Sequence, residues 1–418
     1  MSFDIALSGI QAINEQLDTI SNNIANAGTY GFKSSRANFS AMYAGTTPVG
    51  TQVTSTTQSI GLNGGVLNTG RATDASINGR GFFVLKDGSG QTVYSRVGLF
   101  TKDANDFLVD ANGRKVQGYP VAPGATTEGP LGDLTVPTGL IPAKPSTDVK
   151  FVANLSLDWV APTVAWVAPD ATTTPPTVPD PSTYNMTKTT LVYDSRGTEH
   201  TVTQYFVKTD STHVAVHVAL DGNQLNISTA ATPPTLEFDG AGQLTTASVK
   251  NFLLGEQPGP PPVGVTVPGA DPLVVTIDWT GITFQAGDAV TNTNKANGYT
   301  SGNYVGVELQ DDGSVVAKYS NGERQRVGVI GIATFPNEDA LTAADNTSWT
   351  ANSQAGTVNV DKPGVGLNGT LSAQTLEGSN VDITSELVGL MTSQRNYQAN
   401  SKVITTENQM LQSLMQAM

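Results

Sequence analysis

The sequence predicts a mainly β protein with an α-helix at each end, and three observations carry that expectation. The composition is that of turn-rich β structure: 43 Gly and 23 Pro in 418 residues, with only 14% charged and 7% aromatic side chains. Apolar residues recur in steps of three and four only near the two termini. Between them, alternating apolar and polar runs are separated by Asn-Gly and Asp-Gly pairs, a strong hairpin signal. A chain of this length divides into more than one domain.

At the N-terminus, Phe3, Ala6, Ile10, Ile13, Leu17, Ile20, Ile24 and Ala27 step by three and four without a fault. That is a heptad seam, about 35 Å long as a helix. It ends in SNNIANAGTYGFK, where Asn22, Asn23 and Asn26 are expected to cap the helix, because Asn tolerates turn and left-handed conformations. Gly31 and Phe32 would open the following segment, with Phe32 as an anchor. At the C-terminus, Ile383, Leu387, Leu390, Gln394, Tyr397, Ser401, Ile404, Asn408, Leu411, Met415 and Met418 repeat the pattern. One track there is wholly apolar; the other is polar at Gln394, Ser401 and Asn408, where a coiled coil sets its register at some cost in stability. Asp382 is the expected N-cap, with Glu386 in the first turn.

The candidate assembly interface is therefore Ile10, Ile13, Leu17, Ile20 and Ile24 with Leu387, Leu390, Tyr397, Ile404 and Leu411. Two helices pairing within one monomer is the competing reading of these seams, since heptads specify helix contacts but not whether they cross chains. A lone helix of this length is marginal in water, and a two-helix pair would leave much of each apolar stripe wet. The expectation is coupled folding and assembly, with ends that become helical in a homopolymer.

The middle of the chain reads as strands and turns. DFLVDANGRKVQGY is a hairpin turning at Asn112-Gly113, and the run from Asn303 is a three-strand meander turning at Asp312-Gly313 and Asn321-Gly322. GTEHTVTQYFVKTDSTHVAVHVALDGN gives a longer hairpin. Proline-rich stretches from Ala161 and from Gln257 bracket it and read as surface loops of an inserted domain. The expected organisation is nested: terminal helices at 1–30 and 380–418, an extended connector at 31–70, an inner β domain at 71–147 and 297–379, and an outer, inserted β domain at 148–296.

Net charge is −14, which argues against nucleic acid or an anionic membrane as partner. Each end sums to only −1, so the middle carries the rest. There is no cysteine, which excludes disulfides, zinc thiolates and cysteine nucleophiles. The sequence holds no apolar run of spanning length and no basic, apolar leader at MSFDIALSGI, so no membrane insertion and no cleaved signal peptide are expected.

Candidate chemistry is sparse. His213 and His217 stand four apart, but HVAVHV alternates as a strand, which separates the two imidazoles by about 13 Å and points to a solvated face rather than a metal pair. DANDFLVDANG fails the spacing of a calcium loop at Phe107. NGRGFFV is a glycine turn feeding a buried aromatic strand rather than a phosphate cradle. With no hydrolase motif at any recognised spacing, no enzyme activity and no cofactor are expected.

The termini resemble the rod and hook family of axial proteins of the bacterial flagellum. SNNIANAGTYGFK is similar to the family's N-terminal signature through Asn22, Asn23, Ile24, Ala25, Asn26, Thr29, Gly31, Phe32 and Lys33. SNVDITSELVGLMTSQRNYQANSKVITTENQML is similar to its C-terminal counterpart through Ser379, Asn380, Val381, Asp382, Gln394, Arg395, Tyr397, Ala399 and Asn400, and ATDASINGRGFFVL to its central strand motif. Inside the insert, TLVYDSRGTEHTVTQYFVK is similar to the outer domain of hook members, with the proline-rich expansions as the departure. The resemblance implies a hook subunit that polymerises into a curved tube transmitting torque, the alternative being a distal rod or hook-filament junction-type subunit. It also implies an extracellular location and, as partners, the distal rod protein, hook cap, junction proteins and flagellar export apparatus.

Overall fold

The computed structural model describes residues 2–125, 127–225, 233–245, 251–254 and 270–417. The proline-rich stretch from Gln257 lies outside the described residues except at 270–272, as does Met418. Helices α1 (Ser2–Ala25) and α2 (Ile383–Ala417) occupy the two segments of helical period. Asp382 caps α2: its Oδ1 accepts the Thr384 N–H at 3.0 Å and its Oδ2 the Ser385 hydroxyl at 2.7 Å.

The chain forms two compact units. One comprises Met1–Thr138, Val305–Lys318 and Arg324–Met418; the other comprises Gly139–Tyr304 and Tyr319–Glu323. The second unit begins earlier and ends later than the 148–296 expected for the insert. Bridges Lys144↔Tyr299 and Ile141↔Gly302 zip its entering and leaving strands together beyond those bounds.

In the first unit, antiparallel strands follow the order Tyr304–Leu309, Ser314–Tyr319, Arg324–Ile330, Lys115–Pro120, Phe82–Lys86, Thr92–Ser95, Ser348–Thr350 and Thr342–Ala344. The turns at 112–113, 312–313 and 321–322 fall where Asn-Gly and Asp-Gly pairs place them, each with its glycine at positive φ. NGRGFFV feeds the buried strand Phe82–Lys86. Phe82 packs on Trp349 at 5.5 Å, and Tyr94 meets Phe335 edge-on at 4.8 Å, in a core that also holds Ile60, Val84 and Leu341.

Residues 31–70 depart from the expected extended connector. Strands β1 (Ser35–Ala44) and β2 (Thr47–Gln58) pair antiparallel from Ser35↔Gln58 to Ala44↔Thr47, and β2 lies along α1, where the Thr51 N–H reaches the Ser8 hydroxyl at 3.2 Å. The hairpin is hard to read because its strands bury almost nothing, so no apolar alternation marks them, and its turn at Gly45 lacks an Asn-Gly pair.

Among the described residues the second unit holds two five-stranded sheets sharing one core. Phe151 from one stacks on Phe206 from the other at 5.2 Å, and the Trp279 indole donates to Gln204 at 2.8 Å. His213 and His217 lie on the strand His213–Leu220. His213 pairs with Asp210 at 2.8 Å, but His217 is not on a solvated face: its ring stacks on Trp166 at 4.2 Å. The proline-rich stretch from Ala161 thus docks on the sheet, because Trp166 covers His217 and donates to Gln224 at 2.8 Å.

Candidate assembly interface

Within the first unit α1 and α2 pack antiparallel. Asn23 donates to the Glu386 carboxylate at 2.8 Å, a Cβ on Gly389 would stand 3.4 Å from Ile20 Cδ1, and a Cβ on Gly9 would stand 3.0 Å from Asn400 Nδ2. Asn23 to Gly9 and Glu386 to Asn400 are each fourteen residues. Seven more bring Ser2, the start of α1, level with Glu407. Residues 408–417 of α2 therefore run beyond α1, an overhang of about 15 Å.

That register decides which seam residues are covered. Ile13 and Ile20 are buried, at 8% and 6% exposure, with Ala6 and Ala12. Ile10, Leu17, Ile24, Leu390 and Ile404 are half-buried. Leu387, Tyr397 and Leu411 stay exposed, at 45%, 39% and 53%. Val388, Met391, Met410, Leu414 and Met415 are exposed with them. The face of α2 that meets α1 is made of small and polar residues, Gly389, Ser393 and Asn400, which let the backbones approach but leave the apolar track partly open. This face is offset from the seam that the spacing marks, because small residues carry no apolar signal.

The motif residues take different places. Asn26 Nδ2 donates to the Asn22 carbonyl at 3.0 Å, satisfying an orphan group of the last turn as expected of a cap. Asn23 does something else: it exchanges hydrogen bonds with the Ser35 backbone, N–H to Oδ1 at 2.9 Å and Nδ2 to carbonyl at 2.8 Å, while also reaching Glu386. Phe32 is half-buried beside a groove of about 770 Å³ shared with Asn22, Asn26 and the loop Ala343–Trp349. Gln394 and Arg395 are exposed on α2, and Asn400 packs against Gly9.

Lys33 is the buried residue of the motif. Its Nζ lies 2.7 Å from Glu377 Oε1 and also donates to the Leu62 carbonyl, and Arg96 Nε lies 3.0 Å from Glu377 Oε2. All three side chains are at most 2% exposed. The Arg96 guanidinium donates to the carbonyls of Gly79 at 2.8 Å and Gly81 at 2.7 Å, and to Asn63. Those glycines have φ of 105° and 115°, so the turn that presents the two carbonyls needs glycine. Burial lowers the Lys33 pKa, Arg96 pushes the same way and Glu377 opposes; burial lowers that of Arg96 as well. Sequence reasoning missed Arg96 and Glu377, whose only signal is a charge inside an otherwise uncharged strand motif.

Among the described residues no group of three or more His, Asp or Glu side chains is placed to hold a metal ion, and no helix is long and apolar enough to cross a membrane. What the arrangement presents is an apolar track on α2 that α1 leaves partly open. A nested β chain carrying such a track at joined termini has the form of a self-assembling axial subunit.

Family models place that form. Residues 3–33 match the flagella basal body rod protein, 76–150 the flagellar hook protein FlgE/F/G D1 domain, 165–299 the flagellar basal body protein FlaE D2 domain, and 372–417 the flagellar basal body rod FlgEFG protein C-terminal model. The chain is 35% identical over 421 residues to the flagellar hook protein FlgE of Escherichia coli, covering 99% of both chains. It is 30% identical to that of Treponema pallidum, covering 98% of this chain and 97% of the relative. A crystal structure of Helicobacter pylori flagellar hook protein FlgE2 shares the fold, with a TM-score of 0.51 at 12% identity, over 74% of this chain and all of that one. The chain belongs to the flagellar hook protein family and is a structural subunit of the bacterial hook.

Proposed function

We propose that the α1–α2 pair is the inner core of the hook tube and that its exposed apolar track is covered by the same pair in neighbouring copies. The observation that carries this reading is the α2 overhang, where Met410, Leu411, Leu414 and Met415 are each more than half exposed in a single chain. Burying one such side chain is worth about 1.5–3 kcal/mol, and a repeated heterologous contact that does not close generates a helical polymer. In this reading the β strands of the first unit form the layer of the tube around that core. The terminal helices acquire stable structure on assembly. Export occurs through the flagellar apparatus, and the distal rod protein, hook cap and junction proteins meet the two ends of the polymer. No catalytic step is part of this role.

Electron microscopy and sedimentation of the purified chain under polymerising conditions test it. Curved tubes from the native chain, and none from Leu411→Asp with its β units still folded, are expected. Normal tubes from Leu411→Asp would overturn the assignment of the overhang.

A further inference from the structure

Between the helix pair and the β strands of the first unit the chain passes twice, outward through residues 26–34 and back through 377–382. Two unlinked strands would form a slack tether that twists with little resistance, since each residue has two soft dihedrals. Here they are cross-tied. The Gly31 N–H donates to the Glu377 carbonyl at 2.8 Å, the Ser34 N–H to Asn380 Oδ1 at 2.7 Å, and the Asn380 N–H to the Phe32 carbonyl at 3.3 Å. Asn380 Nδ2 reaches the carbonyls of Ser59 and Leu62 at 3.0 and 3.1 Å. At the centre sits the Lys33–Glu377–Arg96 cluster, whose members come from the outgoing strand, the returning strand and the β body.

The charges of that cluster do not cancel. Two cations share one carboxylate, which also accepts the Gly64 N–H at 3.0 Å. Glu338, itself paired with Arg80 at 2.9 Å, is a further acid whose charge acts on both cations. A buried arrangement of this kind gains little net stability over an apolar one, but removing one partner is costly because the others stay charged and buried. What it supplies is geometry: each ion is held by several directed contacts, so the two crossings cannot slide past each other without breaking charged hydrogen bonds.

We propose that the Lys33–Glu377–Arg96 cluster is the torsional clamp of the subunit, the element through which twist passes between the helix pair and the β body. It rests on the hook reading, since only an assembled, torque-bearing tube loads these crossings in twist. Lys33, Glu377 and Arg96 act as positioning residues that hold the two strands in register.

Tubes assembled from the native chain, Glu377→Gln and Lys33→Met separate the possibilities. Twist compliance is read from the rotational fluctuations of a bead tethered through a single tube, and local opening from hydrogen exchange at the Gly31, Ser34 and Asn380 amides in the same tubes. Glu377→Gln is expected to raise the mean-square twist and to speed exchange at those amides by about tenfold or more, well below the temperature at which the tubes disassemble. Lys33→Met leaves Arg96 and Glu377 as a balanced pair, so it keeps the fold testable if Glu377→Gln does not assemble, and is expected to show the same changes to a lesser degree. Variant tubes that disassemble at lower temperature but twist and exchange as the native ones do would overturn the clamp. Absence of tubes from the native chain would instead overturn the assembly reading beneath it.

Discussion

The side-chain amide of Asn23 donates to the Glu386 carboxylate at 2.8 Å, joining the last turn of α1 to the first turn of α2 across 363 residues of sequence. The same side chain holds the backbone of Ser35, so one residue aligns both helices with the start of the hairpin. Asn23 is 1% exposed, and its partners become unsatisfied when it is removed. Asn23→Ala is expected to destabilise the first unit by about 1–3 kcal/mol, read as a lower disassembly temperature of the tubes. Asn23→Asp is expected to be worse, because it puts a second carboxylate beside Glu386.

Leu17→Asp is expected to block polymerisation while leaving the β units folded, because an unpaired charge in a closing helix seam has no partner. Critical concentration by sedimentation, with circular dichroism as the control for the β units, checks it. Normal polymers from this variant would remove Leu17 from the interface.

The two close-approach glycines are expected to respond differently. At Gly389 an added Cβ meets Ile20 at ordinary contact distance, 3.4 Å, so Gly389→Ala gains helix propensity of about 1 kcal/mol without a clash. At Gly9 the Cβ would stand 3.0 Å from the Asn400 side-chain amide, and a larger residue must displace that amide from its packing on α1. Gly9→Val is therefore expected to cost about 1–3 kcal/mol. Tube disassembly temperatures should move in opposite directions.

Stability of the second unit is expected to be greatest near the ordinary histidine pKa, since His217 and His200 pull in opposite directions. Burial lowers the His217 pKa to about 4, so as pH falls from about 6.5 toward 4 the unfolded state binds the proton first and stability is lost. For His200, burial is the largest influence and lowers the pKa, but the Asp221 and Asp194 carboxylates together outweigh it and leave it raised. Its contribution is complete below about 6.5 and is lost as pH rises through the raised value. Thermal unfolding of the full chain followed by tryptophan fluorescence checks this, because Trp159, Trp166 and Trp279 all lie in this unit. His217→Phe should flatten the acid limb and His200→Gln the neutral one.

The amino-acid sequence by itself determined the class of the molecule. Heptad spacing marks α1 and α2 because a helix face repeats every three to four residues, and Asn-Gly and Asp-Gly pairs mark the turns because so few residues accept their dihedrals. The family motifs then pointed to an axial subunit, down to the chain termini. What the tertiary structure alone decided is where those pieces meet. The antiparallel register that exposes Leu411 and half-covers Leu390 depends on Gly9, Gly389 and Ser393, which carry no apolar signal. The β1–β2 hairpin was invisible because it buries too little to pattern its strands. Lys33, Arg96 and Glu377 converge from positions up to 344 residues apart, and no local spacing encodes a meeting between a helix exit, a strand end and a helix entry; only the packed chain brings those charges together.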